Sequence, residues 1–218
     1  MIVDIETTGL NPAKDEVVEV AAILVREGAQ DELRATVVLD NLVTLPSGYR
    51  IPSAVSALTG ITDSMLAAYG VPRRQIAAQL TPLLLGNVLV VAHNVQFDMS
   101  FVHALLAKES FAVPERSLIL DTLTVFRDRR SYPHTLADAI SAYRLSVPVG
   151  TPHRALADAR VVLRLLQAMA VENDDLLSYV NVIGYNPRYG VSGPRLAGVR
   201  YVPQPLVNHR RSKLPKFK

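Results

Sequence analysis

The sequence predicts an α/β fold with a mixed five-stranded sheet flanked by helices, and two observations support this prediction. Three strand-like runs, at 1–5, 17–25 and 35–44, follow one another through short polar connections, a spacing typical of an antiparallel meander. Two later runs, at 88–92 and 117–120, alternate with helical patterns, as parallel β-α units do. We therefore expect the first three strands to be antiparallel and the last two to be joined through helices.

Helices are predicted wherever apolar residues recur with a period near 3.6. This pattern occurs in seven stretches, at 53–58, 63–69, 73–85, 97–108, 122–130, 135–143 and 155–171. After about residue 180 the periodicity stops and glycine and proline become frequent. We therefore divide the chain into a domain over 1–180 and a basic, Pro/Gly-rich C-terminal extension over 181–218.

Composition narrows the possible classes of protein. The chain has no cysteine, which excludes disulfide frameworks, thiolate nucleophiles and zinc sites with cysteine ligands. No apolar run approaches the roughly 20 residues that span a bilayer, and acidic residues interrupt the N-terminus too early for a signal peptide. We therefore expect a cytoplasmic protein.

The net charge of +3 conceals two oppositely charged parts. Residues 181–218 contain eight Lys and Arg residues and no acidic residue, which leaves a net charge of −5 on the rest of the chain. An acidic body with a basic extension indicates a polyanionic partner.

The stretch "VDIETTGL" at 3–10 carries two acids where a strand ends. Alternate residues of a strand share a face, so Asp4 and Glu6 project to the same side. Like charges at this spacing repel each other unless a cation lies between them. Solvation at a sheet edge is the alternative explanation.

Two further acids lie on the apolar faces of predicted helices. Asp98 lines up with Phe101, Val102 and Leu105, the positions that pack inward. Asp158 lies about 200° from Arg160 on its helix and therefore points away from the polar face. A favourable interaction with the helix dipole explains an acid near a helix N-terminus, although it does not explain the face that the acid occupies.

These four carboxylates predict an oxygen-rich site for a hard divalent cation, Mg²⁺ or Mn²⁺. His153 stands five residues before Asp158 and is our candidate general base, because imidazole exchanges protons near neutral pH. His93 is a secondary candidate, since it ends a strand at the edge where α/β proteins bind ligands. We predict structural roles for Asp121, as a helix N-cap, and for Glu19, as a hydrogen-bonded acid.

Three stretches in this order resemble the motifs of the DnaQ-like 3′–5′ exonuclease superfamily in its histidine (DEDDh) subtype. They are "DIETTGL", "AHNVQFDMSFV" and "HRALADA", and the resemblance extends over about 1–171. The tyrosine subtype would place a tyrosine where Arg154 stands, so the sequence favours the histidine subtype. The resemblance implies a ribonuclease-H-like fold.

The same resemblance implies roles for individual residues. Two divalent ions, Mg²⁺ or Mn²⁺, would be held by Asp4, Glu6, Asp98 and Asp158, with His153 as the catalytic base. The predicted substrate-binding residues are Thr7, Leu10, Asn94, Phe97, Leu58, Thr59 and His93.

The leading hypothesis is a two-metal 3′–5′ exonuclease that releases nucleoside monophosphates from single-stranded or frayed DNA ends, as in proofreading or repair. Trimming of RNA 3′ ends is the first alternative, because the motifs do not separate the two substrates. A non-catalytic module that binds nucleic acid or a polymerase is the second. The expected partners are single-stranded DNA or RNA 3′ ends. Residues 181–218 would contact nucleic acid, a DNA polymerase or another protein.

Overall fold

The computed structural model describes residues 1–28, 32–146 and 153–206. Its main sheet has five strands in the order β3-β2-β1-β4-β5. The strands are β1 (Ile2–Thr7), β2 (Val17–Glu27), β3 (Leu33–Leu42), β4 (Leu89–Ala92) and β5 (Leu118–Asp121). The β1–β2 and β2–β3 pairs are antiparallel, whereas β4 is parallel to both β1 and β5. The predicted mixed five-stranded sheet is confirmed.

Within the described ranges, seven α-helices flank this sheet, and each begins and ends within two residues of its prediction. They are α1 (Ser53–Thr59), α2 (Asp63–Tyr69), α3 (Arg73–Leu85), α4 (Val95–Lys108), α5 (Thr122–Arg129), α6 (Leu136–Ala142) and α7 (Ala155–Glu172). A short 3₁₀ helix (Leu176–Tyr179) follows α7. Among the described residues, no helix is both long and apolar enough to cross a membrane.

Two apolar clusters cover the two faces of the sheet, and β1 contributes to both. Ile2 packs in a cluster with residues of α5 and α7, whereas Val3 and Ile5 pack in a cluster with residues of α3 and α4. Because side chains alternate along a strand, Asp4 and Glu6 share the face of Ile2. The central strand therefore presents its two acids on the side of the sheet that α7 covers.

The sheet brings several chain segments together at one edge. The parallel strands β1, β4 and β5 all end there, which is the edge where open α/β sheets bind ligands. Only two residues separate β4 from helix α4, and the second of them, Asn94, has a left-handed backbone with φ 81°. This connection places the first turn of α4 beside the end of β1.

The described part of the predicted extension packs against the body. It forms a two-stranded parallel sheet of β6 (Val182–Tyr185) and β7 (Arg200–Pro203). Ile183 and Val202 are 6% and 4% exposed and belong to the two clusters on opposite faces of the main sheet. Asn181 accepts a hydrogen bond from the backbone N–H of Ile119 through Oδ1 (2.9 Å), and its own N–H donates to the Ile119 carbonyl (2.8 Å).

The boundary at residue 180 remains a prediction. Residues 181–206 share the hydrophobic core of the preceding domain. Residues 207–218 of the predicted extension lie outside the described residues.

We expect Ile183→Ala to lower the free energy of unfolding by about 2–4 kcal/mol, because it opens a cavity between the extension and the core. Val171→Ala is the matched control, since Val171 is 89% exposed. Urea denaturation measures both variants. A loss below about 0.5 kcal/mol for Ile183→Ala, the range of surface substitutions, would show that the extension adds nothing to the core.

Candidate active site

The end of β1 holds the first two acids of the site. Asp4 and Glu6 are both half-buried and stand opposite Ala21 and Glu19 of β2. The pairing register shifts between Glu6 and Thr7, so the strand bends directly after the acid pair. The turn that follows is closed by the Thr7 hydroxyl, which donates to the Gly9 carbonyl at 2.6 Å.

Asp98 brings a third carboxylate to the same place from the first turn of α4. It is 4% exposed, in agreement with its predicted place on the apolar face of the helix. Burial raises the pKa of Asp98 well above its ordinary value, while hydrogen bonds from backbone groups, including that of Ile5, oppose the rise. The contact with Ile5 places this carboxylate against β1.

The fourth carboxylate and the histidine come from the start of α7. One ligand atom from each of Glu6, His153 and Asp158 lies within 4.8 Å of the other two. His153 is exposed and has a left-handed backbone with φ 62°. Burial raises the pKa of Asp158, and the charge of His153 opposes that rise. Residues 147–152, which precede His153, lie outside the described residues.

Burial and mutual repulsion dominate the electrostatics of these acids. Burial raises the pKa of Asp4 well above its ordinary value. The negative charges of four neighbouring carboxylates raise the pKa of Asp4 further. They belong to Asp98, Asp158, Glu6 and Glu19. The pKa of Glu6 rises to about 7, first through burial and then through the charges of Asp158 and Glu19. Such a cluster is stabilised by a bound cation, and carboxylate oxygens are the ligands that Mg²⁺ and Mn²⁺ prefer.

Helix α7 is fixed to the sheet by Glu19 of β2, which is 2% exposed. Arg154 donates to the Glu19 carboxylate from Nε (2.9 and 3.2 Å) and from Nη2 (2.6 Å). The backbone N–H of Ala155, the first residue of α7, donates to Oε2 of Glu19 at 2.8 Å. The predicted structural acid therefore caps the helix that contains Asp158 and ion-pairs with the residue that follows His153.

A second buried strand acid fixes α4 in the same way. Asp121, 2% exposed, caps α5 as predicted by accepting from the N–H groups of Leu123 (3.3 Å) and Thr124 (3.1 Å). Its Oδ1 also accepts from the N–H groups of Asn94 (2.8 Å) and Val95 (3.2 Å) at the start of α4. One carboxylate thus holds two helix N-termini, including the one that positions Asp98.

The predicted substrate-binding residues differ in accessibility. Leu10 and Leu58 are 84% and 55% exposed, Asn94 is exposed and Phe97 is half-buried. These four side chains are available to a ligand, and their role remains a prediction.

The remaining three predicted substrate residues are engaged within the fold. Thr7 is 8% exposed and its hydroxyl is used in the turn after β1. Thr59 is 2% exposed, and its hydroxyl donates to the Val55 carbonyl and accepts from the N–H of Ile61; its substrate-binding role remains a prediction. His93 is half-buried, and its Nδ1 lies 3.1 Å from the Thr122 hydroxyl.

Two contacts near the site were not predicted from the sequence. The Glu19–Arg154 pair joins residues 135 positions apart, and although Glu19 was predicted to be a hydrogen-bonded acid, its partner was not. Gln96, two residues before Asp98, is 6% exposed and donates through Nε2 to the carbonyls of Ser192 (2.5 Å) and Pro194 (3.1 Å). Nothing in the sequence indicated this contact.

We expect Asp98→Asn to raise the Tm of the metal-free protein at pH 8 by about 2–5 °C, because it removes a buried charge whose pKa is raised in the folded state. The gain should shrink as the pH falls, since the wild-type acid then becomes protonated. Thermal unfolding in EDTA measures this effect, with the exposed Asp174→Asn as control. A lower Tm for Asp98→Asn at pH 8 would contradict the repulsion described here.

Comparison with known proteins agrees with this architecture. An exonuclease family model, RNase_T, matches residues 1–166. A 3′-5′ exonuclease DinG from Bacillus subtilis is 31% identical over 166 residues, which is 74% of this chain and 16% of the relative. A DNA polymerase III epsilon-like protein from Rhodobacter capsulatus is 33% identical over 176 residues, which is 78% of this chain and 24% of the relative. The chain therefore spans less than a quarter of the length of these relatives.

The fold also has solved counterparts. Exonuclease I from E. coli, in a crystal structure with a dA16 oligonucleotide, superposes with a TM-score of 0.69 at 20% identity, covering 82% of this chain and 42% of that one. The alignment confirms a ribonuclease-H-like fold. By its sequence, its fold and the match over 1–166, the chain belongs to the RNase_T exonuclease family.

Proposed function

We propose that the protein is a divalent-metal-dependent 3′–5′ exonuclease that releases nucleoside monophosphates from single-stranded or frayed DNA ends. The observation that supports this most strongly is the convergence of Asp4, Glu6, Asp98 and Asp158, each with a raised pKa. The similarity to the B. subtilis relative, a 3′-5′ exonuclease, supports the direction of cleavage. The oligonucleotide in the exonuclease I complex supports a single-stranded DNA substrate.

The four carboxylates fit two Mg²⁺ or Mn²⁺ ions. Their oxygens match the ligand preference of hard cations, and a bound cation would offset the repulsion that raises the pKa values of Asp4 and Glu6. When bound, such ions supply charge neutralisation at the attacked phosphate and at the leaving oxygen. Asp4, Glu6, Asp98 and Asp158 would hold them.

His153 is the proposed general base. It is exposed to solvent, so its ring can reach a water molecule at the mouth of the site. Its ligand atom lies within 4.8 Å of those of Glu6 and Asp158, which places it beside the carboxylates without making it one of the four proposed ligands. In this role the imidazole accepts the proton of the water that attacks the phosphorus atom.

Exposed apolar side chains would receive the terminal nucleotide. Leu10 follows the acid pair and is 84% exposed, and the half-buried Phe97 precedes Asp98. Apolar contacts and ring stacking do not distinguish one base from another. The proposed enzyme would therefore remove any of the four nucleotides.

Hydrolysis of a 5′-labelled single strand in Mg²⁺ tests the proposal. We expect a ladder of products shortened from the 3′ end, faster for DNA than for RNA. Asp158→Asn should abolish the ladder, whereas the control Asp174→Asn, an exposed residue beyond the far end of α7, should not. Cleavage inside the strand, or an undiminished rate in Asp158→Asn, would overturn the proposal, and faster hydrolysis of RNA would reassign the substrate.

We expect His153→Ala to lower kcat by about 10²–10⁴-fold, the usual contribution of a general base. The Mg²⁺ concentration that gives half-maximal activity should change little, because His153 is not a proposed ligand. Steady-state kinetics over a series of Mg²⁺ concentrations measures both quantities. If the variant kept more than about a tenth of the wild-type kcat, the base would have to be another group.

We expect Glu19→Gln to lower kcat about tenfold or more and to raise the Mg²⁺ requirement, as loss of an outer partner of a metal site typically does. The amide can still accept from Ala155, although it loses the charge that binds Arg154. The same Mg²⁺ titration distinguishes this positioning effect from that of His153→Ala. A fall in Tm with unchanged Mg²⁺ dependence would mean that Glu19 serves stability alone.

A further inference from the structure

We propose that the loop between β6 and β7, residues 186–199, binds the phosphate backbone of the single-stranded DNA whose 3′ end occupies the site formed by the four carboxylates. We call this segment the arginine loop, because Arg188 and Arg195 project from it and Arg200 follows it. The inference extends the proposed function, and it rests on that function for the identification of the bound strand as DNA.

The first argument is the position of the loop. Gln96 anchors it to α4 through the Ser192 and Pro194 carbonyls. Gln96 and Asp98 both lie in the first turn of α4, with their side chains about 200° apart around the helix, so the loop packs on the side of this turn that faces away from Asp98. A DNA strand that leaves the site past the Gln96 side of α4 would meet the loop.

The second argument is that the loop has a defined shape. Asn186 closes its first turn, accepting from the N–H of Arg188 through Oδ1 (2.8 Å) and from the N–H of Gly190 through its carbonyl (2.9 Å). Gly190 has φ 70°, a conformation that glycine adopts without strain. At the other end, Leu196 is 9% exposed and its N–H donates to the Tyr201 hydroxyl at 2.8 Å. A loop held at both ends loses little entropy on binding.

The third argument is the state of the arginines. The guanidinium of Arg195 lies 4.7 Å from the ring centroid of Tyr201, and that of Arg188 lies 5.5 Å from that of Tyr189. Within the described ranges, neither arginine has a carboxylate at salt-bridge distance. By contrast, arginines of the body such as Arg73 and Arg129 pair with acids. The loop guanidinium groups are therefore held by aromatic rings while their charge remains available.

The fourth argument concerns charge around the site. A phosphate backbone must approach four carboxylates, which repel it over a distance of about 8 Å at physiological salt. Residues 181–206 contain three arginines and no acid, so this segment carries the charge opposite to that of the carboxylates. Tyr189 is 75% exposed and offers a face on which a base can stack. This combination of free guanidinium groups and an exposed aromatic ring favours nucleic acid over an acidic protein.

Binding of a labelled 12-nucleotide single strand of DNA, measured by fluorescence anisotropy in EDTA over a salt series, tests the inference. We compare wild type with Arg188→Ala/Arg195→Ala. The matched control is Arg26→Ala/Arg34→Ala, which removes the same charge from two exposed, paired positions at the opposite end of the sheet. Because each lost phosphate contact lowers the slope of log K against log salt by about 0.7, the loop variant should lose about 1.4 in slope and about tenfold in affinity at low salt.

A second variant separates charge from shape. Arg188→Lys/Arg195→Lys should keep most of the salt slope, since lysine retains the charge. The inference is overturned if the alanine variant keeps the wild-type salt slope, and the loop would then be assigned to a protein partner. It is also overturned if the control variant loses as much salt slope and affinity as the loop variant. Because binding is measured without hydrolysis, an enzyme that fails the nuclease assay can still pass this test, so the two proposals fail separately.

Discussion

Repulsion among four carboxylates at the end of β1 is the constraint on which the rest of the structure depends. Asp4 lies at the centre, where the charges of Asp98, Asp158 and Glu6 all raise its pKa. An arrangement of this kind is unfavourable without a cation, because burial weakens solvation and the like charges lie close together. The protein must therefore hold these side chains in place by contacts elsewhere, and it must do so before any ion binds.

Two other buried acids provide those contacts, because each accepts hydrogen bonds from the first N–H groups of a helix. Glu19 accepts from Arg154 and from the first N–H of α7, and Asp121 accepts from the N–H groups that begin α4 and α5. Each carboxylate satisfies helix N-terminal donors that would otherwise lack partners. The helices that contain Asp98 and Asp158, α4 and α7, are thus fixed to β5 and β2. The sheet therefore determines where these two carboxylates lie.

Local patterns predicted the five strands of the main sheet and the seven α-helices, because helical and strand periods decide which side chains face inward. The same patterns selected the four acids, whose role as metal ligands remains a prediction. Asp98 was recognisable as a polar residue on an apolar face, and it is 4% exposed. Pairings between distant segments were not predictable. The Glu19–Arg154 contact, the parallel β6–β7 pair and the contact of Gln96 with Ser192 depend on how the chain closes in three dimensions. The frequent prolines and glycines after residue 180 concealed a segment that shares the core.

Calorimetric titration of the protein with Mg²⁺ and Mn²⁺ at pH 6.5, in buffers of different ionisation enthalpy, tests the central claim most directly. It counts both the ions that bind and the protons that leave. Because the pKa of Glu6 is about 7 and those of its neighbours are raised, we predict that two ions bind and that protons are released as the carboxylates ionise. Proton release should diminish at pH 8.5, where Glu6 is already ionised. Binding without proton release at pH 6.5, or no binding at all, would contradict a site built on crowded carboxylates.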